Sequence, residues 1–162
     1  MEKPPIKQWM ERLQKLTPPT QQWTPVDTAL HTPTLFFSDY SKAQERLFPA
    51  ILHTFRHHYH NNFLYHRVCD VNGITPEAIR SQQDVKKIPL LPDAFFKDYP
   101  DGSGFLTWLK TIFTGSLPKP VFKSHNPSYD DIIEEFNKKG TSIMFTSGTS
   151  GRFSFIPRDT RS

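Results

Sequence analysis

Cysteine and glycine are scarce in this sequence, and long apolar runs are missing. Among its 162 residues there are 1 Cys and 7 Gly. The lone Cys69 has no partner for an internal disulfide, which excludes a stapled secreted scaffold and a cysteine-rich zinc site. No run of apolar residues is long enough to span a membrane, and Met1–Pro5 opens without the apolar core of a signal peptide. We therefore expect a cytoplasmic protein without a membrane span.

A strong charge imbalance is also lacking. The 20 Lys and Arg residues exceed the 16 Asp and Glu residues by 4. Such a mild excess favours anionic ligands in general, but no basic stripe marks a surface for a nucleic-acid duplex. We predict no nucleic-acid partner.

Proline and aromatic residues are plentiful: 15 Pro, 14 Phe, 5 Tyr and 3 Trp. A hydrophobic share of 36% is typical of a globular chain rather than a disordered one. Burial would then rest on aromatic rings spaced by rigid turns, which predicts an irregular core. We divide the chain into a Pro-rich wrap at residues 1–40 and one domain at residues 41–162.

The first third shows one short helical pattern. Apolar residues at helical spacing predict a helix at about residues 6–16, which Pro18 and Pro19 end. Residues 17–40 show no sustained period. We predict an irregular segment here. Four of its apolar side chains would pack against a neighbouring surface of the protein: Trp23, Leu35, Phe36 and Phe37.

From Ser41 the sequence has its clearest helical period. We predict a helix that is interrupted near Asn61-Asn62 and ends by Gly73, with a buried face built on Leu47, Ile51, Phe55 and Tyr59. Proline and capping signals then predict a short helix at 75–79, a turn at 81–87, an extended stretch at 88–92 and a short helix at 93–99 that Asp93 caps.

The last third mixes helices and strands. Helical spacing of Phe105, Trp108, Leu109 and Ile112 predicts a helix before Gly115, and residues 121–124 favour a strand. Ser128 and Asp131 resemble a capping box for a helix that Gly140 ends. Residues 142–145 predict a buried strand, and 153–156 its partner. The expected fold class is α/β, helix-rich in the first two thirds.

A polar loop follows the predicted strand at 142–145: Thr146-Ser147-Gly148-Thr149-Ser150-Gly151. Two glycines allow the backbone to turn several amides toward one point, and four hydroxyls add donors, an arrangement that suits phosphate oxygens. The loop lacks the Walker spacing, because no lysine follows Gly151. As composition alone, such a run is also typical of an ordinary turn.

The order of these six residues after Ile143-Met144-Phe145 resembles the phosphate loop of adenylate-forming enzymes, which make acyl-AMP from ATP and a carboxylic acid. Much of that superfamily has Pro and Lys two and three residues after the second glycine. This chain has Phe153 and Ser154 there, which points away from generic acyl-CoA synthetases.

A second block, residues 84–98 (DVKKIPLLPDAFFKD), is similar to the segment before that loop in phenylacetate-CoA ligases and in acyl-protein synthetases of the LuxE type. The Phe96-Lys97 ending and the later Ser154-x-Ile156-Pro157-x-Asp159 are nearer to the acyl-protein synthetases. The resemblance covers about residues 40–159. Residues 1–39 carry no diagnostic motif.

The resemblance implies the N-terminal portion of the large domain of such an enzyme, with a strand, the phosphate loop and a strand at its end. It implies ATP and Mg²⁺ as cofactors, a fatty acid or other carboxylic acid as substrate, acyl transfer to a protein cysteine, and an acyl-reductase partner. The implied phosphate-binding residues are Thr146, Ser147, Gly148, Thr149, Ser150 and Gly151. Arg152 and Arg158 are near enough in sequence to add positive charge, or to line a solvated surface.

Family members are much longer, and in them the rest of the site follows the phosphate loop. Only eleven residues follow Gly151 here. We therefore expect a fragment that completes no adenylation alone, and no catalytic residue is assigned. Fatty-acid-dependent exchange between ATP and pyrophosphate measures this, and robust exchange by the 162-residue chain would contradict the expectation.

Other polar clusters favour structural roles. Five histidines fall within residues 53–66, and His53 and His57 have the spacing of a shared metal, but no further ligand completes a set. We interpret them as a solvated helix face and Cys69 as a core residue rather than the acyl acceptor. The carboxylates of residues 130–135 suit the first helical turn and its polar face. Ser147 lacks the Gly-x-Ser-x-Gly context of a hydrolase nucleophile.

Two alternatives stay open. One is a relative of the phenylacetate-CoA ligases, which use coenzyme A as the acyl acceptor. The other is a non-catalytic helical module whose aromatic surface binds another subunit.

Overall fold

The structure is a computed structural model, and it describes residues 20–31, 39–122, 124–146 and 151–159. The predicted helix at 6–16 and the side chains of Leu35, Phe36 and Phe37 lie outside these residues.

Within the described ranges the chain is helix-rich and has one small antiparallel sheet. The helices are α1 (Pro25–His31), α2 (Tyr40–Asn61), α3 (Phe63–Val71), α4 (Ser103–Ile112) and α5 (Tyr129–Lys138). The strands are β1 (Ser142–Phe145) and β2 (Phe155–Arg158). Single 3₁₀ segments lie at Thr20–Gln22, Pro76–Ala78, Gln82–Lys87 and Asp93–Phe96. None of the helices in these ranges has the length and apolar character needed to cross a membrane.

The chain divides into two compact units. The first comprises Met1–Arg56 and Pro76–Lys86, and the second comprises His57–Thr75 and Lys87–Ser162. Helix α2 contributes residues to both units.

Helix α1 corrects the prediction of an irregular segment at 17–40. Thr24 and Asp27 cap its first turn reciprocally: the Thr24 amide donates to Asp27 Oδ2 at 2.8 Å, and the Asp27 amide donates to Thr24 Oγ1 at 3.3 Å. Pro25 occupies the first helical position, where its missing N–H costs nothing. The prediction rested on the lack of a sustained helical period, and a helix of only 7 residues is too short to show one.

The long helix and its interruption are confirmed. Asn62 separates α2 from α3 and caps α3, since its side chain accepts a hydrogen bond from the Tyr65 amide. The predicted buried face is only partly correct. Phe55 is 3% exposed, but Leu47 and Ile51 are 41% and 37% exposed. Helical periodicity thus located the helix without fixing which side of it is covered.

The short segments of the middle region are tighter than predicted. The helix at 75–79 is a 3₁₀ turn at Pro76–Ala78, and that at 93–99 is a 3₁₀ segment at Asp93–Phe96. Asp93 does not cap this segment. Pro92 holds the N-cap position, and the Asp93 carboxylate instead pairs with Lys97 Nζ at 2.5 Å.

Helix α5 confirms the predicted capping box. Ser128 Oγ accepts from the Asp131 amide at 3.2 Å, while the Ser128 amide donates to Asp131 Oδ2 at 2.9 Å. The Ser128 hydroxyl also donates to Asp131 Oδ2, at 2.7 Å. This bond and the one from the Ser128 amide favour the ionised carboxylate and lower the pKa of Asp131. Gly140, with φ of +78°, follows the helix as predicted.

The predicted strand at 121–124 is wrong for its described residues, which lie in no strand. The Val121 amide donates at 3.1 Å to the Glu135 carboxylate of α5 rather than to a neighbouring strand. The Glu135 side chain thus accepts the hydrogen bond that a neighbouring strand would accept in a sheet.

The core of the second unit is built largely of aromatic rings, as the composition predicted. The Phe155 ring centroid lies 5.0 Å from those of Tyr99 and Phe105, and Tyr129 lies 4.8 Å from Phe105. Further buried members are Trp108, Leu109, Ile132, Phe136 and Ile143. Edge-to-face and tilted rings with such spacings add to the free energy gained by burial.

Strands β1 and β2 form a hairpin whose register decides what is buried. Ile143 pairs with Pro157 and Phe145 with Phe155, so these four residues lie on one face, where all except Phe145 are buried. The opposite face carries the pair Met144 and Ile156, which are 54% and 45% exposed. The partner strand at 153–156 is thus confirmed, displaced by two residues, whereas β1 is buried on one face only.

This register predicts losses of stability of very different size for substitutions at two adjacent residues of β2. Phe155→Ala removes a ring that is 5% exposed and should lower the free energy of unfolding by about 3–5 kcal/mol. Ile156→Ala, on the open face, should cost less than about 1 kcal/mol. Urea unfolding measures both, and a larger loss for Ile156→Ala would show that the register is shifted by one residue.

Candidate functional site

The hairpin positions the candidate phosphate loop between two paired strands. Of the six predicted site residues, the structure describes Thr146 and Gly151; Ser147, Gly148, Thr149 and Ser150 lie outside the described residues. Phe145 and Phe155 form the last strand pair before the loop. The chain therefore leaves β1 and returns to β2 at one end of the sheet.

Thr146 and Ser154 close the base of the loop. The Thr146 amide donates to the Ser154 carbonyl at 3.1 Å, and the Ser154 amide donates to Thr146 Oγ1 at 3.0 Å. The Thr146 hydroxyl was predicted to surround a phosphate. Its oxygen accepts a backbone hydrogen bond, which leaves the hydroxyl proton to donate to a ligand.

Gly151 has the backbone conformation that the glycine-rich pattern implied. Its φ is +109°, a value that L-residues with a side chain rarely adopt. No atom lies within 4 Å of the position that a Cβ would occupy. Glycine is therefore favoured at this position by the positive φ of the backbone and not by steric crowding.

Arg152 fastens the returning side of the loop to the core. Its guanidinium carbon lies 4.4 Å from the centroid of the Tyr99 ring, and Nη2 donates to the Tyr99 carbonyl at 3.3 Å. The cation thus lies on the electron-rich face of a buried ring. Arg158 pairs in register with Ser142, at the end of the hairpin away from the loop. The sequence did not distinguish the two arginines, but in the structure only Arg152 lies beside the loop.

Apolar surface borders the loop. Phe145 is 60% exposed and Phe153 is 45% exposed, and their rings meet edge to face with centroids 5.5 Å apart. The exposed pair Met144 and Ile156 lies on the opposite face of the hairpin from Phe145. Burial and the hydrogen bond to Asp101 raise the pKa of Tyr129 to about 12, so this phenol is neutral at physiological pH.

The histidines divide into two groups. His53, His57 and His60 are exposed, as a solvated helix face requires. His58 is half-buried, with Nδ1 at 2.6 Å from Thr114 Oγ1, and burial lowers its pKa. In the described part of the chain, no three or more His, Cys, Asp or Glu side chains are grouped as a metal site would need.

Cys69 is a core residue, as predicted. Its side chain is fully buried, and burial raises the pKa of the thiol, which keeps it protonated at neutral pH. The thiolate that accepts an acyl group needs the opposite environment.

The carboxylates of α5 also have structural partners. Asp131 belongs to the capping box, Glu134 pairs with Lys138 at 2.7 Å, and Glu135 pairs with Lys139 at 3.2 Å. These contacts support the prediction of a first turn and polar face rather than acid or base catalysis.

Sequence reasoning missed two contacts. Tyr99 and Arg152 are far apart in the chain, and no local sequence pattern predicts their contact. His66 and Asp70, by contrast, have the four-residue spacing of one helix face and approach to 3.5 Å. That spacing was available from the sequence, but the interruption at Asn62 left the face of α3 unassigned.

The contact with Tyr99 predicts that Arg152 stabilises the hairpin whereas Arg158 does not. Arg152→Ala should lower the free energy of unfolding by about 0.5–1.5 kcal/mol, because it removes the stacked cation and its hydrogen bond. Arg158→Ala, on an exposed position, is the matched control and should change stability by less than about 0.5 kcal/mol. Equal losses in urea unfolding would contradict a specific role of the Tyr99 contact.

Three comparisons with known proteins identify no family for this chain. A comparison with protein-family models finds no match, and comparisons with curated proteins and with solved structures find no match either. The resemblance to acyl-protein synthetases therefore stays a prediction, and any function has to be argued from the residues and the geometry of the hairpin.

Proposed function

We propose that the loop at 146–151 binds phosphate groups of ATP, and that the chain serves in the activation of a fatty acid or other apolar carboxylic acid as acyl-AMP. The observation that carries this proposal is the sequence Thr-Ser-Gly-Thr-Ser-Gly joining two paired antiparallel strands. On this proposal the chain is the N-terminal portion of an adenylate-forming domain of the acyl-protein synthetase type.

The ends of the loop support phosphate binding. The reciprocal hydrogen bonds of Thr146 and Ser154 hold its base closed, and Gly151 turns the chain through a positive φ. Successive backbone amides that turn toward one point form an anion-binding concavity. Arg152 fixes the exit from the loop to the Tyr99 ring, which limits how far the loop can shift when an anion arrives.

In this reaction negative charge develops on the leaving pyrophosphate, which a phosphate-binding loop can stabilise. A carboxylate oxygen of the acid attacks the α-phosphorus of ATP, and the bond from that phosphorus to the pyrophosphate oxygen breaks. Acyl-AMP forms, and pyrophosphate leaves with the bonding electron pair. Preorganised N–H and O–H donors around the leaving phosphates stabilise the charge that develops there.

Magnesium accompanies ATP in the implied chemistry, where the phosphate oxygens of ATP, water and one or two carboxylates are its usual ligands. The described residues contain no group of three or more side chains of the ligating types His, Cys, Asp and Glu. The proposed role of this chain therefore includes no step through the metal ion.

The apolar surface beside the loop supports an apolar acid as the substrate. Phe145 and Phe153 lie at the loop base, exposed to 60% and 45%. An acyl chain bound against them would be removed from water close to the phosphates, a favourable transfer for each methylene group. Delivery of the acyl group to a protein cysteine and to a reductase partner belongs to this proposal. Cys69 is unsuited as the acceptor because it is buried and protonated.

A second candidate function is a non-catalytic interaction module. The observation that favours it is the open face of the hairpin, opposite Phe155, where Met144 and Ile156 are exposed as a cross-strand pair. A protein surface that covers this face would need no nucleotide. The two candidates differ in whether the loop binds ATP.

Nucleotide binding by two glycine variants tests the proposed function. Gly151→Ala forces a side chain into a backbone with φ of +109° and should weaken binding of ATP, with Mg²⁺ present, by about tenfold or more. Gly140→Ala is the matched control, because Gly140 also has a positive φ, of +78°, and open space around it. It should leave ATP binding unchanged while costing similar stability. Isothermal titration calorimetry measures both.

Two outcomes would contradict the proposal. One is the absence of ATP binding by the unaltered chain at millimolar nucleotide. The other is equal weakening by Gly151→Ala and Gly140→Ala, which would trace the loss to general destabilisation. Either result would favour the interaction module.

A further inference from the structure

A recess lies where α2 ends and α3 begins, within residues 57–75 of the second unit. Its lining includes Tyr59 and His60 from the last turn of α2, and His66 and Asp70 from α3. His66 and Asp70 are four residues apart, which places both side chains on one face of α3. Their side chains are 41% and 44% exposed, so solvent and small ions reach them.

The position of the proton on the His66 ring follows from its neighbours. Nδ1 lies 2.9 Å from the Tyr59 carbonyl oxygen, which can only accept, so Nδ1 is the protonated nitrogen. The ring is also stacked on Tyr59, with centroids 4.3 Å apart and planes inclined by 30°. In the neutral imidazole, Nε2 therefore carries the lone pair. A backbone carbonyl that fixes the tautomer in this way is a common companion of histidine metal ligands.

In that neutral form of the ring, the lone pair of Nε2 faces an oxygen of the Asp70 carboxylate. Nε2 and Asp70 Oδ1 are 3.5 Å apart, longer than a good charge-assisted hydrogen bond. With the ring neutral, these two electron-rich atoms repel each other. A proton on Nε2 or a metal ion between the two atoms removes the repulsion, and the two cations compete for the same lone pair. Two ligands about 2.0–2.1 Å from a tetrahedral ion are separated by about 3.4 Å, close to the separation found here.

We propose that His66 Nε2 and Asp70 Oδ1 together bind a divalent transition-metal ion of the zinc class, with water completing the coordination. Imidazole nitrogen and carboxylate oxygen are a ligand pair that Zn²⁺ accepts readily. The site has only two protein ligands, which makes the ion exchangeable rather than permanently held. The ion joins successive turns of α3 and thereby stabilises that helix next to its cap at Asn62. This proposal is independent of the proposed function, because none of its residues belongs to the hairpin.

Titration with ZnCl₂ alone, followed by NMR of protein labelled with ¹⁵N in histidine, tests the site. We expect the Nε2 resonance of His66 to move at lower zinc concentration than the resonances of the exposed His53, His57 and His60. Asp70→Asn removes the carboxylate with little change in size and should weaken binding at His66 by about tenfold or more. His53→Gln, which alters an exposed histidine outside the recess, is the matched control and should leave binding at His66 unchanged.

A second measurement separates loss of the ligand from loss of the fold. The Nδ1 proton of His66 should keep its hydrogen bond to Tyr59 in Asp70→Asn, so its resonance reports an intact recess. Zinc that shifts all exposed histidines alike would overturn the proposal. Unchanged affinity at His66 in Asp70→Asn with that hydrogen bond retained would overturn it as well.

Discussion

The burial of Phe155 against Tyr99 and Phe105 holds together the part of the molecule in which the candidate loop lies. An isolated two-stranded hairpin is at best marginally stable in water and needs a packed face. Phe155 provides it, with ring centroids 5.0 Å from both partners. Its burial sets the register, and the register sets which residues flank the loop. Without that contact, nothing in the hairpin alone would distinguish the face of Ile143 from that of Met144.

Tyr99 joins this core to the loop by a second route. The Tyr99 ring packs against the aromatic cluster. The Arg152 guanidinium also lies over this ring and donates a hydrogen bond to the Tyr99 carbonyl. The loop is thus held at its base by the Thr146 and Ser154 backbone and on its exit by a cation on a buried ring. A binding loop supported on rigid elements retains its shape at lower entropic cost than one supported on other loops. This support is common to both candidate functions, and only the proposed phosphate chemistry uses the glycines.

The sequence predicted the elements that local chemistry determines. The capping box of Ser128 and Asp131, the interruption at Asn62 and the paired strands around the loop all depend on residues close in the chain. The same reasoning would have found α1 had the Thr24-Pro25-x-Asp27 start been recognised as a capping pattern rather than as part of a proline-rich wrap. The failures at Leu47 and at residues 121–124 have a different cause. Which face of a helix is covered, and whether an extended segment finds a strand or a carboxylate, are decided by distant parts of the chain.

The candidate site divides in the same way. Its residue types and the positive φ of Gly151 were predictable from the glycine pattern, but the fixation of Arg152 on Tyr99 and the remoteness of Arg158 required the fold. The central claim is that the hairpin loop is where ATP binds. Hydrogen–deuterium exchange of the unaltered chain, with and without ATP in the presence of Mg²⁺, tests it most directly. The account predicts slower amide exchange within residues 146–154 and little change in α3. Unchanged exchange in that segment at saturating ATP, or protection confined to other elements, would contradict it.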